Sequence, residues 1–86
     1  MRWSLVGEPH RYEGTSDSSL DTEFGYLCHV RSTSGSAEVV QVELARGADS
    51  ALTVEDAKRI LQVYLGDEVP PRRLVVTRDG LIMKYG

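Results

Sequence analysis

The sequence predicts a small two-layer α+β domain of (β)ββαββ order, one amphipathic helix packed on an antiparallel or mixed sheet of four to five strands. Three observations carry that expectation. Phe24, Tyr26, Cys28 and Val30 alternate with Gly25, Leu27, His29 and Arg31 at the two-residue period of a half-buried strand. The segment "LTVEDAKRILQVYLG", from Leu52 to Gly66, repeats its apolar residues at helical spacing instead. Asp79-Gly80 then divides two apolar runs, which is among the strongest short signals for a β-hairpin. A helix with one apolar stripe and strands with one apolar face bury each other, and two layers are the natural result.

Taken in order, "RWSLV" sets Trp3 and Leu5 against polar neighbours and predicts a short first strand. Residues 7–23 carry little apolar content beyond Tyr12 and Leu20, so they read as one long, mobile loop. The strand from Phe24 ends in the Gly-containing turn "STSGS". Its partner "AEVVQVELA" places Val40, Val42 and Leu44 on one face and Val39, Gln41 and Glu43 on the other.

In the helix, Thr53 caps the start and Asp56 completes a capping-box arrangement. Glu55 and Asp56 put negative charge in the first turn, where the helix dipole favours it, and Glu55 pairs with Arg59 at i,i+4. Ala57, Ile60, Leu61, Tyr64 and Leu65 form the apolar stripe. "VPP" then prevents the helix from continuing. A two-residue Asp79-Gly80 loop would set Val76 opposite Met83 and Val75 opposite Lys84. Leu74, Val76, Leu81, Met83 and Tyr85 would then face the core, and Val75, Thr77, Ile82 and Lys84 would face away.

A chain of 86 residues forms one domain, residues 1–86. Its 41% hydrophobic and 27% charged composition is ordinary for a globular protein. A net charge of −3 argues against a dedicated nucleic-acid coat or a polybasic membrane binder. No apolar run approaches a membrane span, and the N-terminal apolar stretch is too short for a signal peptide. The single cysteine cannot form an internal disulfide, which points to a reducing, cytoplasmic setting.

The residues that could carry chemistry are few. No Walker, GxGxxG, HExxH or CxxC pattern is present, so no catalytic motif and no cofactor is expected. Cys28 and His29 are adjacent, but neighbours on a strand point to opposite faces. Cys28 is therefore expected as a small buried hydrophobe and His29 as part of a polar face. His10-Arg11-Tyr12 reads as a polar connector anchored by Tyr12.

Charge is uneven. Residues 1–69 hold six basic and twelve acidic residues (−6), whereas residues 70–86 hold Arg72, Arg73, Arg78 and Lys84 against Asp79 (+3). The leading expectation is a non-enzymatic protein-interaction module, with a protein partner or self-association to a homodimer. It would act through a sheet edge or through an outer sheet face around Val75 and Ile82. The alternative is weak nucleic-acid binding by Arg72, Arg73, Arg78 and Lys84 on the C-terminal hairpin. From Val40 to Ile82 the layout of hairpin, capped helix "TVEDAKRIL", "VPP" and strand "RRLVV" is similar to the ubiquitin-like β-grasp. That resemblance implies a fold and not conjugation chemistry, since no diglycine follows Tyr85.

Overall fold

A computed structural model of the chain describes residues 2–14, 21–49, 51–66 and 68–86. Its elements run β1 (Trp3–Leu5), β2 (His10–Glu13), β3 (Thr22–Ser32), β4 (Ala37–Ala45), α1 (Val54–Tyr64), β5 (Arg73–Val76) and β6 (Ile82–Tyr85). The fold is the expected α+β arrangement of one helix on a mixed sheet, with six strands where four to five were expected. The sheet order is β1-β3-β4-β5-β6, and β2 pairs with β3.

The long β3–β4 hairpin is the spine. Phe24 pairs with Leu44, Tyr26 with Val42 and Cys28 with Val40, so the apolar sets of both strands meet on one face, as the alternation requires. The outer edge of β3 is shared: β1 pairs along Val30 to Ser32 and β2 along Phe24 to Leu27. Strand β2 corrects the expected loop over 7–23. "HRYE" lacks an apolar period, but it lies on a strand edge that offers an unfilled row of backbone donors and acceptors. Residues 15–20 of that loop lie outside the described residues.

After β4 the chain crosses over through α1 and returns as β5, parallel to β4. The capping box is complete: Asp56 N–H donates to Thr53 Oγ1 at 3.1 Å and Thr53 N–H donates to Asp56 Oδ2 at 3.0 Å. Arg59 pairs with Asp56 at i,i+3 instead of with Glu55, whose carboxylate lies 3.7 Å from Lys58 Nζ. Ala57, Leu61 and Leu65 are buried, with Ile60 and Tyr64 half-buried at the margins of the stripe. The core lies between this stripe and the face formed by Trp3, Tyr26, Cys28, Val30, Val40, Val42, Leu44, Leu74 and Val76. Two polar tips on that face find backbone acceptors: Trp3 Nε1 donates to the Glu68 carbonyl at 3.1 Å and Tyr26 Oη to the Leu52 carbonyl at 3.2 Å.

The C-terminal hairpin differs from expectation by one residue. Val76 pairs with Ile82, Val75 with Met83 and Leu74 with Lys84. Within this connection Gly80 alone takes a positive φ, +80°, and no non-glycine residue does so among the described residues. A type I′ loop needs positive φ at both central residues, so Asp79-Gly80 is not one. Arg78-Asp79-Gly80 instead forms a three-residue connection ending in a left-handed glycine. Gly80 N–H donates to the Thr77 carbonyl at 3.0 Å, and Thr77 N–H to the Leu81 carbonyl at 2.8 Å. A one-residue slip exchanges the faces of a strand. Ile82 and Lys84 therefore share the helix-side face with Leu74 and Val76, and Leu81, Met83 and Tyr85 go outward.

Candidate interaction surface

The outer face of the sheet carries no helix. Its rows follow from the pairings: Tyr12, Gly25, Glu43, Val75 and Met83 form one line across the strands, and His10, Leu27, Gln41, Arg73 and Tyr85 the next. Trp3 and Leu5 point to the opposite side, against the core, so the first strand does not cover this face.

At its centre stands a network anchored by a fully enclosed carboxylate. Glu43 is 0% exposed. Arg73 donates from Nε to Glu43 Oε1 at 2.7 Å and from a terminal nitrogen to Oε2 at 3.1 Å, the bidentate geometry that suits guanidinium and carboxylate. Tyr12 Oη donates to Oε2 at 2.5 Å, and Gln41 Nε2 donates to Tyr12 Oη at 3.2 Å. Burial, followed by the hydrogen bond to Glu43 and the charge of its carboxylate, holds the Tyr12 hydroxyl well above the ordinary tyrosine range.

Gly25 makes this possible. A Cβ at Gly25 would sit 2.7 Å from Tyr12 Oη and 2.8 Å from Glu43 Cγ, so only glycine lets the ring lie across the strand to reach the carboxylate. A glycine inside a strand is the sequence signal for such a close approach. The identity of the visitor was not legible, because Tyr12 arrives on a strand that has no periodic pattern.

The six residues expected to form a binding surface are dispersed. Val75 lies on the outer face but is 2% exposed, enclosed between Glu43 and Met83 in its row. Ile82 is not on that face: the slipped register turns it against the core. Arg73 is committed to Glu43. Arg78, past the far end of β5 from Arg72, donates from Nε to the Arg46 carbonyl at 3.1 Å. Arg72 and Lys84 are exposed near the other end of the hairpin, where Arg72 N–H donates to the Tyr85 carbonyl. In place of the predicted pair, the exposed apolar residues of this hairpin are Leu81 (65%), Met83 (46%) and Tyr85 (40%). On the helix side, a depression of about 260 Å³ runs between α1 and β6, lined by Ile60, Val63, Val76 and Ile82 among others.

Cys28 and His29 diverge as the strand period requires. Cys28 is 0% exposed on the core face, and burial pushes its thiol from 9.0 up to about 11. His29 lies outward, with its ring edge-on to His10 at 6.3 Å between centroids. Among the described residues, no group of three or more His, Cys, Asp or Glu could hold a metal ion. No helix there is long and apolar enough to cross a membrane.

Two measurements on Cys28 follow. A thiol reagent should label the native protein slowly and the urea-unfolded protein at once, because a thiolate cannot form in the core. The raised pKa also makes stability depend on pH with a definite sign. The contribution is complete below 9.0, the ordinary value, and is lost as pH rises towards about 11. The loss should be on the order of 2–3 kcal/mol. Tyr12 acts in the same direction at higher pH, so the Cys28 part is the difference between the wild type and Cys28→Val. Rapid stoichiometric labelling of the folded chain would contradict this assignment.

No protein family, no curated protein and no solved structure matches this chain, and the likeness to the β-grasp therefore rests on the order of its elements alone.

Proposed function

We propose that this chain is a non-enzymatic protein-interaction module that associates with a second copy of itself through the edge of β6. The observation that supports this is an edge strand left unprotected. Native sheets blunt their edges with charges, prolines or very short strands. The edge along β3 is treated in that way, since it is divided into strands of three and four residues separated by Gly7-Glu8-Pro9. β6, "IMKY", is as short as β2, but among the described residues no second strand or proline divides its edge, its one charge is Lys84, and it is flanked on both faces by exposed apolar surface.

The hydrogen-bond pattern says which atoms are available. Thr77 bonds Leu81 across the hairpin, so by alternation Met83 and Tyr85 also direct their backbone groups towards β5. Ile82 and Lys84 direct theirs outward. Two copies related by a two-fold axis satisfy those groups when Ile82 pairs with Lys84 of the second copy and Met83 lies opposite its own counterpart. Leu81 then faces Tyr85 of the second copy, which makes the outer apolar strip continuous. On the helix side the aliphatic stem of Lys84 covers Ile82 and the adjoining depression. The nucleic-acid reading has less support, because Arg73 and Arg78 are already engaged and only Arg72 and Lys84 remain of the four basic side chains.

Sedimentation equilibrium tests the proposal. The wild type should run at about twice the 9.5 kDa chain mass. Lys84→Pro should run as a monomer with unchanged circular dichroism, because it removes an outward N–H and none within the hairpin. Equal masses for the two proteins would overturn the reading.

A further inference from the structure

The outer face bends into a groove beyond the start of β5, with a volume of about 690 Å³. Val39 and His29, directly paired across β3 and β4, contribute to its lining together with Gln41, Val6, Arg31 and Arg72. Its size is that of a small-molecule site. The charge arrangement is what distinguishes it. In an acidic chain most arginines are occupied: Arg46 by Asp21, Arg59 by Asp56, Arg73 by Glu43, Arg78 by a carbonyl and Arg11 by the face of Phe24. Among the described residues, Arg2, Arg31 and Arg72 have no ion pair, side-chain hydrogen bond or ring contact, and Arg31 and Arg72 both line this groove. Glu38 is the one acidic residue in the lining.

We infer that the groove binds a small organic oxyanion, with its anionic group held by Arg31 and Arg72 and its apolar body resting on Val39 and Val6. Guanidinium groups recognise carboxylates and phosphates through paired, charge-assisted N–H donors. His29 and Gln41, whose amide nitrogen is engaged with Tyr12, add polar surface at the same wall. Exposed Val39, at 41%, gives the site an apolar floor that a simple inorganic ion would not use. Occupancy of this site does not require the β6 edge.

The test is a two-dimensional NMR titration of the full chain at low salt, with benzoate and phenyl phosphate as separate probes. The expected result is a saturable shift of the Arg31, His29, Val39, Gln41 and Arg72 signals with at least one of them. The tighter probe identifies the oxyanion as carboxylate or phosphate ester. Arg31→Gln and Arg72→Gln should each weaken binding about tenfold or more, the effect of losing a hydrogen bond to a charged group. Glu38→Gln should bind as well or more tightly. Spectra unchanged outside the groove would show that the variants are folded. The inference is overturned if neither probe gives a saturable shift in the groove, or if the double variant Arg31→Gln/Arg72→Gln binds like the wild type.

Discussion

Arg73→Met is expected to cost about 3–5 kcal/mol of folding stability, measured by urea denaturation. The reason is what it leaves behind. Glu43 is fully enclosed, and Arg73 supplies its countercharge and two of its hydrogen bonds. Without Arg73 a carboxylate remains in a site from which water is excluded, held by Tyr12 alone. Removing the other partner should cost less, because the Arg73 side chain is 32% exposed and its guanidinium can turn to water. The double variant Glu43→Leu/Arg73→Met should therefore recover much of the loss, since apolar replacement of a buried pair is often close to neutral. That non-additivity is the signature of a coupled pair. Tyr12→Phe, which removes one hydrogen bond to the carboxylate, should cost about 1.5–3 kcal/mol. A cost below about 1 kcal/mol for Arg73→Met would mean that the pair behaves like an exposed surface ion pair.

The second large effect concerns Met83. In the proposed dimer this residue meets its own counterpart across the two-fold axis, so Met83→Lys brings two like charges together, as does Met83→Glu. Each variant alone should be monomeric, because like charges directly opposite on adjacent strands repel. An equimolar mixture should form a heterodimer. The exchange of one long side chain at a 46% exposed position leaves the hairpin itself undisturbed. A homodimer from either charged variant at wild-type concentrations would rule out this register. Aspartate at Val75 and Ile82, the pair the sequence pattern placed outward, could not serve this purpose: Val75 is 2% exposed and Ile82 packs against the core, so the charges would destabilise the fold itself.

The contrast between the β3–β4 and β5–β6 hairpins shows where sequence pattern ends. The β3–β4 register was legible because each strand carries its own alternation and the two agree. The helix was legible because a cap, a first-turn charge pattern and an apolar stripe coincide over one segment. The C-terminal hairpin was misread by one residue for a local reason. Asp79-Gly80 suits a two-residue loop and equally the end of a three-residue one, and Leu81, Ile82 and Met83 are all apolar, so hydrophobic pattern cannot break the tie. Packing of Ile82 beside Val76 and under the helix side of the sheet breaks it. The polar network failed to show for a different reason. Glu43 pairs with Gly25 and follows Gln41 and the exposed Val39 along β4, a pattern that reads as a solvated face. It becomes buried only when Tyr12, thirty-one residues away in sequence, lies across Gly25.

Residue-resolved amide exchange of β6, followed as a function of protein concentration, tests the central claim most directly. By the alternation of the hairpin the Met83 N–H is turned towards β5, whereas those of Ile82 and Lys84 are turned to the open edge. If two copies join along this edge, Ile82 and Lys84 should become protected as concentration rises, by a factor that follows the dimer fraction, while Met83 is protected throughout. Free exchange at Ile82 and Lys84 at every concentration, alongside a protected Met83, would show that the edge stays open and would contradict the account.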